Sequence, residues 1–272
     1  MELTGHDDPW KVSSRELTIR ETRLRVWTGG EGPILLLLHA GYGDAYFSWS
    51  RVWNELAQSF TVVAPDLPGF GRSERGAAET VSDTVQILAE MMGQIRRGPA
   101  IIVGNSFGGA VAYRFAQEYP LLTRKLILVN GTEMPALPHW LLSMLKWPVL
   151  HDVFMRVGQS MYYSKKALHG AFTEFESLPE EVRNEIERNA ERNSLISGDM
   201  WLNSEPNERR VRVPISMIWG ADDEMVPLKL AESLQRRYPG STIHAIPHAR
   251  HMPEIERPLE FVSELRREAM GQ

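Results

Sequence analysis

A serine hydroxyl attacks a carbonyl only when a base can take its proton and an acid orients that base. This chain carries all three residue types in order. Ser106 lies between glycines in GNSFG, Gly104 to Gly108. Asp222 and Asp223 follow in GADDEMVP, and His248 and His251 in HARHMPEIERP. Serine, acid, histidine is the chain order found where the serine rides a sharp strand-to-helix turn. A G-x-S-x-G match alone is a frequent coincidence, so its flanks decide its meaning. AIIV before it reads as a buried strand, and after it Ala110, Ala112 and Ala116 sit in a helix-like segment. No Lys-Ser/Thr pair follows, which removes the P-loop reading. Neither GGEG at Gly29 to Gly32 nor GFG at Gly69 to Gly71 completes a dinucleotide fingerprint. The chain has no cysteine, so thiol catalysis, zinc ribbons and disulfides are excluded.

Apolar runs alternate with amphipathic segments along the chain, and these elements must position the candidates. RELTIR and TRLRVW alternate in period two and predict an antiparallel hairpin. PILLLLH, FTVVAPD, PAIIVGN, RKLILVN, PISMIWG and STIHAIP are continuous apolar runs, the pattern of parallel strands buried on both faces. Helical patterns cover Trp49 to Gln58, Val81 to Ile95, Phe107 to Glu118, Leu228 to Arg237 and Pro258 to Arg267. Strand and helix in alternation predict a doubly wound α/β sheet with helices on both faces. From about residue 131 to 210 the alternation stops. That segment reads as helical and is rich in aromatic residues and methionine.

Five segments, LLLHAGYG, VVAPDLPGFGRS, VGNSFGG, IWGADDEMVP and HARHMPEIERP, stand in one order along the chain. In types and order they resemble the α/β-hydrolase-fold family, over roughly Leu17 to Leu265. The resemblance implies an α/β-hydrolase fold, with a mostly parallel eight-stranded sheet, helices on both faces and an inserted helical cap. Residues 1–130 and 211–272 then form the core domain and residues 131–210 the cap. Carried over residue by residue, Ser106 matches the nucleophile, His251 the base, and Asp223, in G-x-x-D-x-x-V-P, the acid. Asp222 is the neighbouring alternative for the acid. Glu133 stands near the place where some members carry theirs, and His248 rivals His251. The oxyanion donors implied are the backbone N–H groups of Phe107 and of Gly41, with Tyr42 as the alternative to Gly41. Two positions depart from the family: His39-Ala40 replaces the common His-Gly, and Arg250 replaces the glycine before the base. Arg250 reads as surface charge, and PDLPGFGRS as architecture rather than chemistry.

Members that displace halide or open epoxides carry Asp at the nucleophile position, so Ser106 points away from both. The expected reaction is hydrolysis of a carboxylic ester or lactone through an acyl-enzyme, with no cofactor and no metal. Carbon–carbon bond hydrolysis of ring-fission products is the alternative, although many such members carry tryptophan after the base, where Met252 stands here. A ligand receptor on the same scaffold is the alternative from another class. Trp140, Met144 and Trp201 in the cap, with Tyr42 and Met252, are the candidates to line an apolar substrate pocket. The expected partner is a small-molecule ester. A net charge of −5 argues against nucleic acid, which needs clustered Lys and Arg. No membrane partner is expected, since the run ILLLL falls far short of the ~20 apolar residues of a span. The opening residues MELTGHDDPWKVSS lack the apolar core of a secretory leader, and the expected location is cytoplasmic.

Overall fold

Alternating apolar runs and amphipathic segments build one sheet with helices against both faces. The computed structural model describes residues 12–95, 98–133, 137–145, 147–162, 164–178, 180–204 and 207–271; the first eleven residues, on which the absence of a leader is argued, lie outside them. Strands β1 (Ser13–Ile19) and β2 (Thr22–Gly29) form the expected antiparallel hairpin. Its two-residue turn, Arg20 and Glu21, has positive φ at both positions, which matches the twist of paired strands. The chain then runs through β3 (Ile34–Leu38), α1 (Ala45–Trp49), α2 (Trp53–Ala57), β4 (Thr61–Pro65), α3 (Val81–Ile95), β5 (Ala100–Asn105), α4 (Phe107–Glu118) and β6 (Thr123–Val129). Helices α5 (His139–Met144), α6 (Pro148–Tyr162), α7 (Lys165–Gly170) and α8 (Glu180–Leu202) come next. The chain closes with β7 (Ile215–Gly220), α9 (Lys229–Arg237), β8 (Thr242–Ile246), α10 (Pro253–Glu256) and α11 (Pro258–Met270).

The eight strands lie in the order β1-β2-β4-β3-β5-β6-β7-β8. The β1–β2 and β2–β4 pairs are antiparallel and all the others parallel. Every residue of β3, β4, β5 and β7 is buried, as a sheet covered on both faces requires. Successive residues point to opposite faces. Leu36, Leu38 and Ile102 pack with Val85, Leu88, Val111 and Phe115 of α3 and α4. Leu35, Leu37, Ile101 and Val103 pack with Trp49, Trp53, Phe261 and Leu265 of α1, α2 and α11.

Two expectations are corrected. The helix read over Trp49 to Gln58 is broken, because the Val52 N–H closes a tighter turn onto the Trp49 carbonyl at 3.0 Å and separates α1 from α2. STIHAIP is not buried on both faces. β8 is the last strand of the sheet, so Thr242 and Ala245 are exposed and Ile246 is buried. Between β6 and β7 the described residues form four α-helices, a short 3-10 helix at Phe175–Ser177 and no strand. No described helix is long and apolar enough to cross a membrane.

The turn from β5 into α4 fixes where the Ser106 side chain stands. Ser106 has φ 51° and ψ −115°, a sparsely populated backbone conformation for a residue with a side chain. The turn is possible because neighbouring backbones come very close. A Cβ on Gly104 would lie 2.2 Å from the Gly108 carbonyl oxygen, and one on Gly108 would lie 2.2 Å from that of Leu38. Neither oxygen belongs to a side chain that can swing aside. Gly104→Ala is therefore expected to lower stability by about 1–3 kcal/mol through overpacking. Thermal and urea unfolding would measure it, and an unchanged melting curve would contradict this packing.

Candidate active site

Ser106 follows β5, Asp223 follows β7 and His251 follows β8, so all three lie beyond the carboxyl ends of parallel strands, where open α/β sheets place their sites. His251 Nε2 lies 2.8 Å from Ser106 Oγ, and His251 Nδ1 lies 2.9 Å from Asp223 Oδ2. Asp223 and His251 are buried, whereas Ser106 keeps partial access to solvent. Asp223 Oδ1 accepts from the backbone N–H groups of Met225 and Val226 at 2.8 and 3.1 Å. Burial alone would push this carboxyl up. The hydrogen bond and charge of His251, the Asn130 amide and the Val226 N–H outweigh burial and hold it below the ordinary aspartate range. An ionised Asp223 only accepts, so His251 Nδ1 carries a proton, and in the uncharged ring Nε2 is the acceptor turned towards the serine hydroxyl.

Asn130, at the end of β6, does not stand out in the sequence. Its Nδ2 donates to Asp223 Oδ2 at 2.5 Å and to the Arg250 carbonyl at 3.1 Å, and its Oδ1 accepts from Gly220 N–H at 2.9 Å. One amide thus holds Asp223, the loop before His251 and the end of β7. The only sequence signal is a polar residue closing the apolar run LILVN. The rival residues lie elsewhere. Asp222 is exposed, Glu133 pairs with Arg237, and His248 is exposed with a positive φ of 54°. Among the described residues, no three His, Asp or Glu side chains form a metal-binding group. Arg250, read as surface charge, is half-buried and donates to the Gly170 carbonyl at 3.2 Å.

The loop after β3 is fixed by a buried histidine. His39 Nε2 accepts from the Leu67 N–H at 2.9 Å, so its proton is on Nδ1, which donates to the Ala40 carbonyl at 2.8 Å. Burial brings the His39 pKa down to about 4, against the raising effects of that hydrogen bond and of Asp44, so the ring is neutral. The Ala40 carbonyl and Gly41 N–H belong to one planar trans peptide, so holding the carbonyl also sets the direction of the N–H. On the other side, the Phe107 N–H opens α4, where helix geometry supplies no intrahelical acceptor. PDLPGFGRS braces this region. Asp66 accepts from the Ala45 and Arg72 N–H groups at 3.1 and 3.0 Å, and Ser73 Oγ donates to the Asp66 carbonyl at 2.7 Å.

The five pocket candidates separate. Tyr42 is buried, donates to Met225 Sδ at 3.0 Å and meets the His251 ring edge to face with centroids 6.0 Å apart. Met252 is fully buried in the same apolar cluster, with Phe172 and Ile186 from the segment between β6 and β7. Trp140 and Met144 do not join that cluster: they are 64% and 45% exposed on α5. Trp201 is half-buried and packs on Phe154 of α6 at 6.2 Å. The inserted helices reach the site through backbone as well, since the His251 N–H donates to the Ala171 carbonyl at 3.0 Å.

Residues 35–265 match the model of the Alpha/beta hydrolase family. This chain belongs to that family. Among relatives, it is 26% identical over 264 residues to 2-hydroxy-6-oxo-6-phenylhexa-2,4-dienoate hydrolase of Burkholderia cepacia, covering 90% of each chain. It is 28% identical over 255 residues to pimeloyl-[acyl-carrier protein] methyl ester esterase of Vibrio vulnificus, covering 90% of this chain and 97% of the other. Among solved structures, a putative lipase of Acinetobacter baumannii superposes with a TM-score of 0.77 at 22% identity, covering 96% of this chain and 92% of that one. The α/β-hydrolase fold expected from the sequence is therefore the fold of this hydrolase-family member.

Asp66 gives this region a pH signature. Burial first, and then the Asp44 charge, raise its pKa from 3.8 to about 7, against the backbone N–H groups of Arg72 and Ala45 and the charge of Arg25. The folded state then holds a proton that the unfolded chain releases near pH 3.8, so this stabilisation is full below that value and is lost as pH rises through 7. Asp66→Asn cannot titrate. Urea unfolding at about pH 5 and about pH 8 should show wild type losing more stability than the variant, by up to ~1.4 kcal/mol per pH unit within the window. Parallel pH profiles would contradict this.

Proposed function

We propose that this hydrolase-family protein cleaves a carboxylic ester or lactone of a partly apolar small molecule through an acyl-enzyme on Ser106. One observation carries the reading: the unbroken hydrogen-bond chain from Ser106 Oγ through both His251 nitrogens to Asp223. Ser106 Oγ attacks the carbonyl carbon while its proton passes to His251 Nε2. Asp223 keeps the other ring proton on Nδ1 and stabilises the imidazolium. The tetrahedral oxyanion is received by the Phe107 and Gly41 N–H groups, each such donor supplying ~3 kcal/mol. Collapse expels the alcohol oxygen, which takes the proton from His251. Water then repeats the attack and releases the acid and the free serine, and no cofactor or metal is needed.

Residues 131–210 act in this reading as a cap on a core of residues 1–130 and 211–272. The bonds from His251 N–H to Ala171 and from Arg250 to Gly170 support it. An apolar portion of the substrate is supported by Tyr42, Met225 and Met252 beside the base. The substrate is a small molecule in the cytoplasm, a setting in keeping with the absence of cysteine. Ester chemistry is supported by the methyl ester esterase relative. The relative from Burkholderia cepacia supports a second reading, hydrolysis of a carbon–carbon bond in a ring-fission product.

Kinetics with short-chain p-nitrophenyl esters and with a ring-fission dienoate would separate the two. Ser106→Ala and His251→Ala are expected to lower kcat on the ester by at least ~10³-fold. Equal rates for Ser106→Ala and wild type would remove the nucleophile assignment. Turnover of the dienoate alone would favour the second reading.

A further inference from the structure

The proposed reaction leaves the fully buried carboxyl of Glu254 unused. Glu254 lies in α10, three residues after His251, with no exposed surface. Its Oε2 accepts from Asn105 Nδ2 at 3.3 Å. Asn105 is the residue before Ser106 and is equally buried, and its Nδ2 also donates to the His251 carbonyl at 3.1 Å. A carbonyl only accepts, so this contact fixes which end of the amide is nitrogen. Two oxygens of the pair, Glu254 Oε1 and Asn105 Oδ1, are then buried with no hydrogen-bond partner. An ionised carboxylate has no donor to offer Oδ1. A neutral carboxylic acid supplies one, and acid with amide is a complementary pair: N–H to Oε2, O–H to Oδ1.

We propose that Glu254 is a positioning residue that works as the neutral acid, its carboxyl paired with the Asn105 amide to hold the loop carrying His251 against the strand that presents Ser106. The inference rests on the reading of Ser106 and His251 as the reacting pair. Burial drives this carboxyl well above the ordinary range, and the charge of Glu256 adds to it, against the hydrogen bond of the backbone at Glu254. Glu256, two residues on, has a different environment. Its oxygens accept from the Thr173 and Arg250 N–H groups at 2.6 and 2.8 Å, joining α10 to the inserted helices. The short α10 thus carries two carboxyls, one turned to the cap and the other to the strand behind the serine.

The test is steady-state kinetics on a p-nitrophenyl ester, with infrared difference spectra of the same proteins. Glu254→Gln keeps an acceptor for Asn105 Nδ2 and a donor for Oδ1, and should hold kcat within about threefold of wild type. Glu254→Leu keeps the bulk but not the pairing. It should lower kcat by about 10- to 100-fold while KM moves by less than about threefold. At neutral pH the wild-type minus Glu254→Gln spectrum should contain the carbonyl stretch of a protonated carboxylic acid. A folded Glu254→Gln as impaired as Glu254→Leu would overturn the proposal, as would full kcat in Glu254→Leu or the absence of the acid band. If Glu254→Leu fails to fold, the Glu254→Gln kinetics and the band still decide. Full activity in Ser106→Ala is a separate failure, of the nucleophile reading and the positioning role built on it, and the band reads the Glu254 proton independently of it.

Discussion

Everything at the site depends on the chain turning from β5 to α4 at a single residue. A serine there takes an unusual backbone conformation, with φ 51° and ψ −115°. That conformation survives only because packing over-determines it, since such strain costs ~1–3 kcal/mol. The packing is backbone against backbone. Gly104 faces the Gly108 carbonyl, and Gly108 faces that of Leu38 at the end of β3. The sheet supplies the rest, because Ser106 N–H is anchored on the Val129 carbonyl of the neighbouring strand at 3.0 Å. The hydroxyl is thereby lifted clear of the sheet at the end where the other loops converge.

Those loops are joined by buried polar groups that each span two or more elements. Asn130 bridges β6, Asp223 after β7 and the loop before His251. Asn105 bridges β5 to the loop that carries His251. His39 ties the loop after β3 to Leu67. In a low-dielectric interior, bonds of this kind make a misplaced partner costly and favour one arrangement. The position of His251 also depends on the helices between β6 and β7, because its N–H is satisfied by the Ala171 carbonyl. A shift of the helices between β6 and β7 is therefore felt at His251 through the backbone.

Much of this is legible in the sequence, for reasons that differ by element. α3 and α4 match their expected bounds because long periodic patterns report one buried face. β8 reads like a central strand because an apolar run cannot tell an edge from an interior position. Ser106, Asp223 and His251 stand in short motifs that impose strained or bonded geometry, and the structure brings the three together. Asn130 belongs to no such motif, and Glu254, although it stands within HARHMPEIERP, carries no sign of a role in its spacing. Their importance lies in what stands across from them in space, which residue order does not encode. Trp140 and Met144 show the converse error. Their types suggest a pocket, yet α5 carries them on an exposed face.

In the reaction we propose, Ser106 forms a covalent acyl intermediate assisted by His251. The most direct test is rapid acid quench of the protein with a p-nitrophenyl ester, followed by intact-mass measurement and peptide mapping. A mass increase of one acyl group is expected on the peptide containing Ser106, absent in Ser106→Ala and formed far more slowly in His251→Ala. An acyl group mapped to another residue, or substrate turnover with no Ser106 adduct under conditions that trap such intermediates, would contradict it.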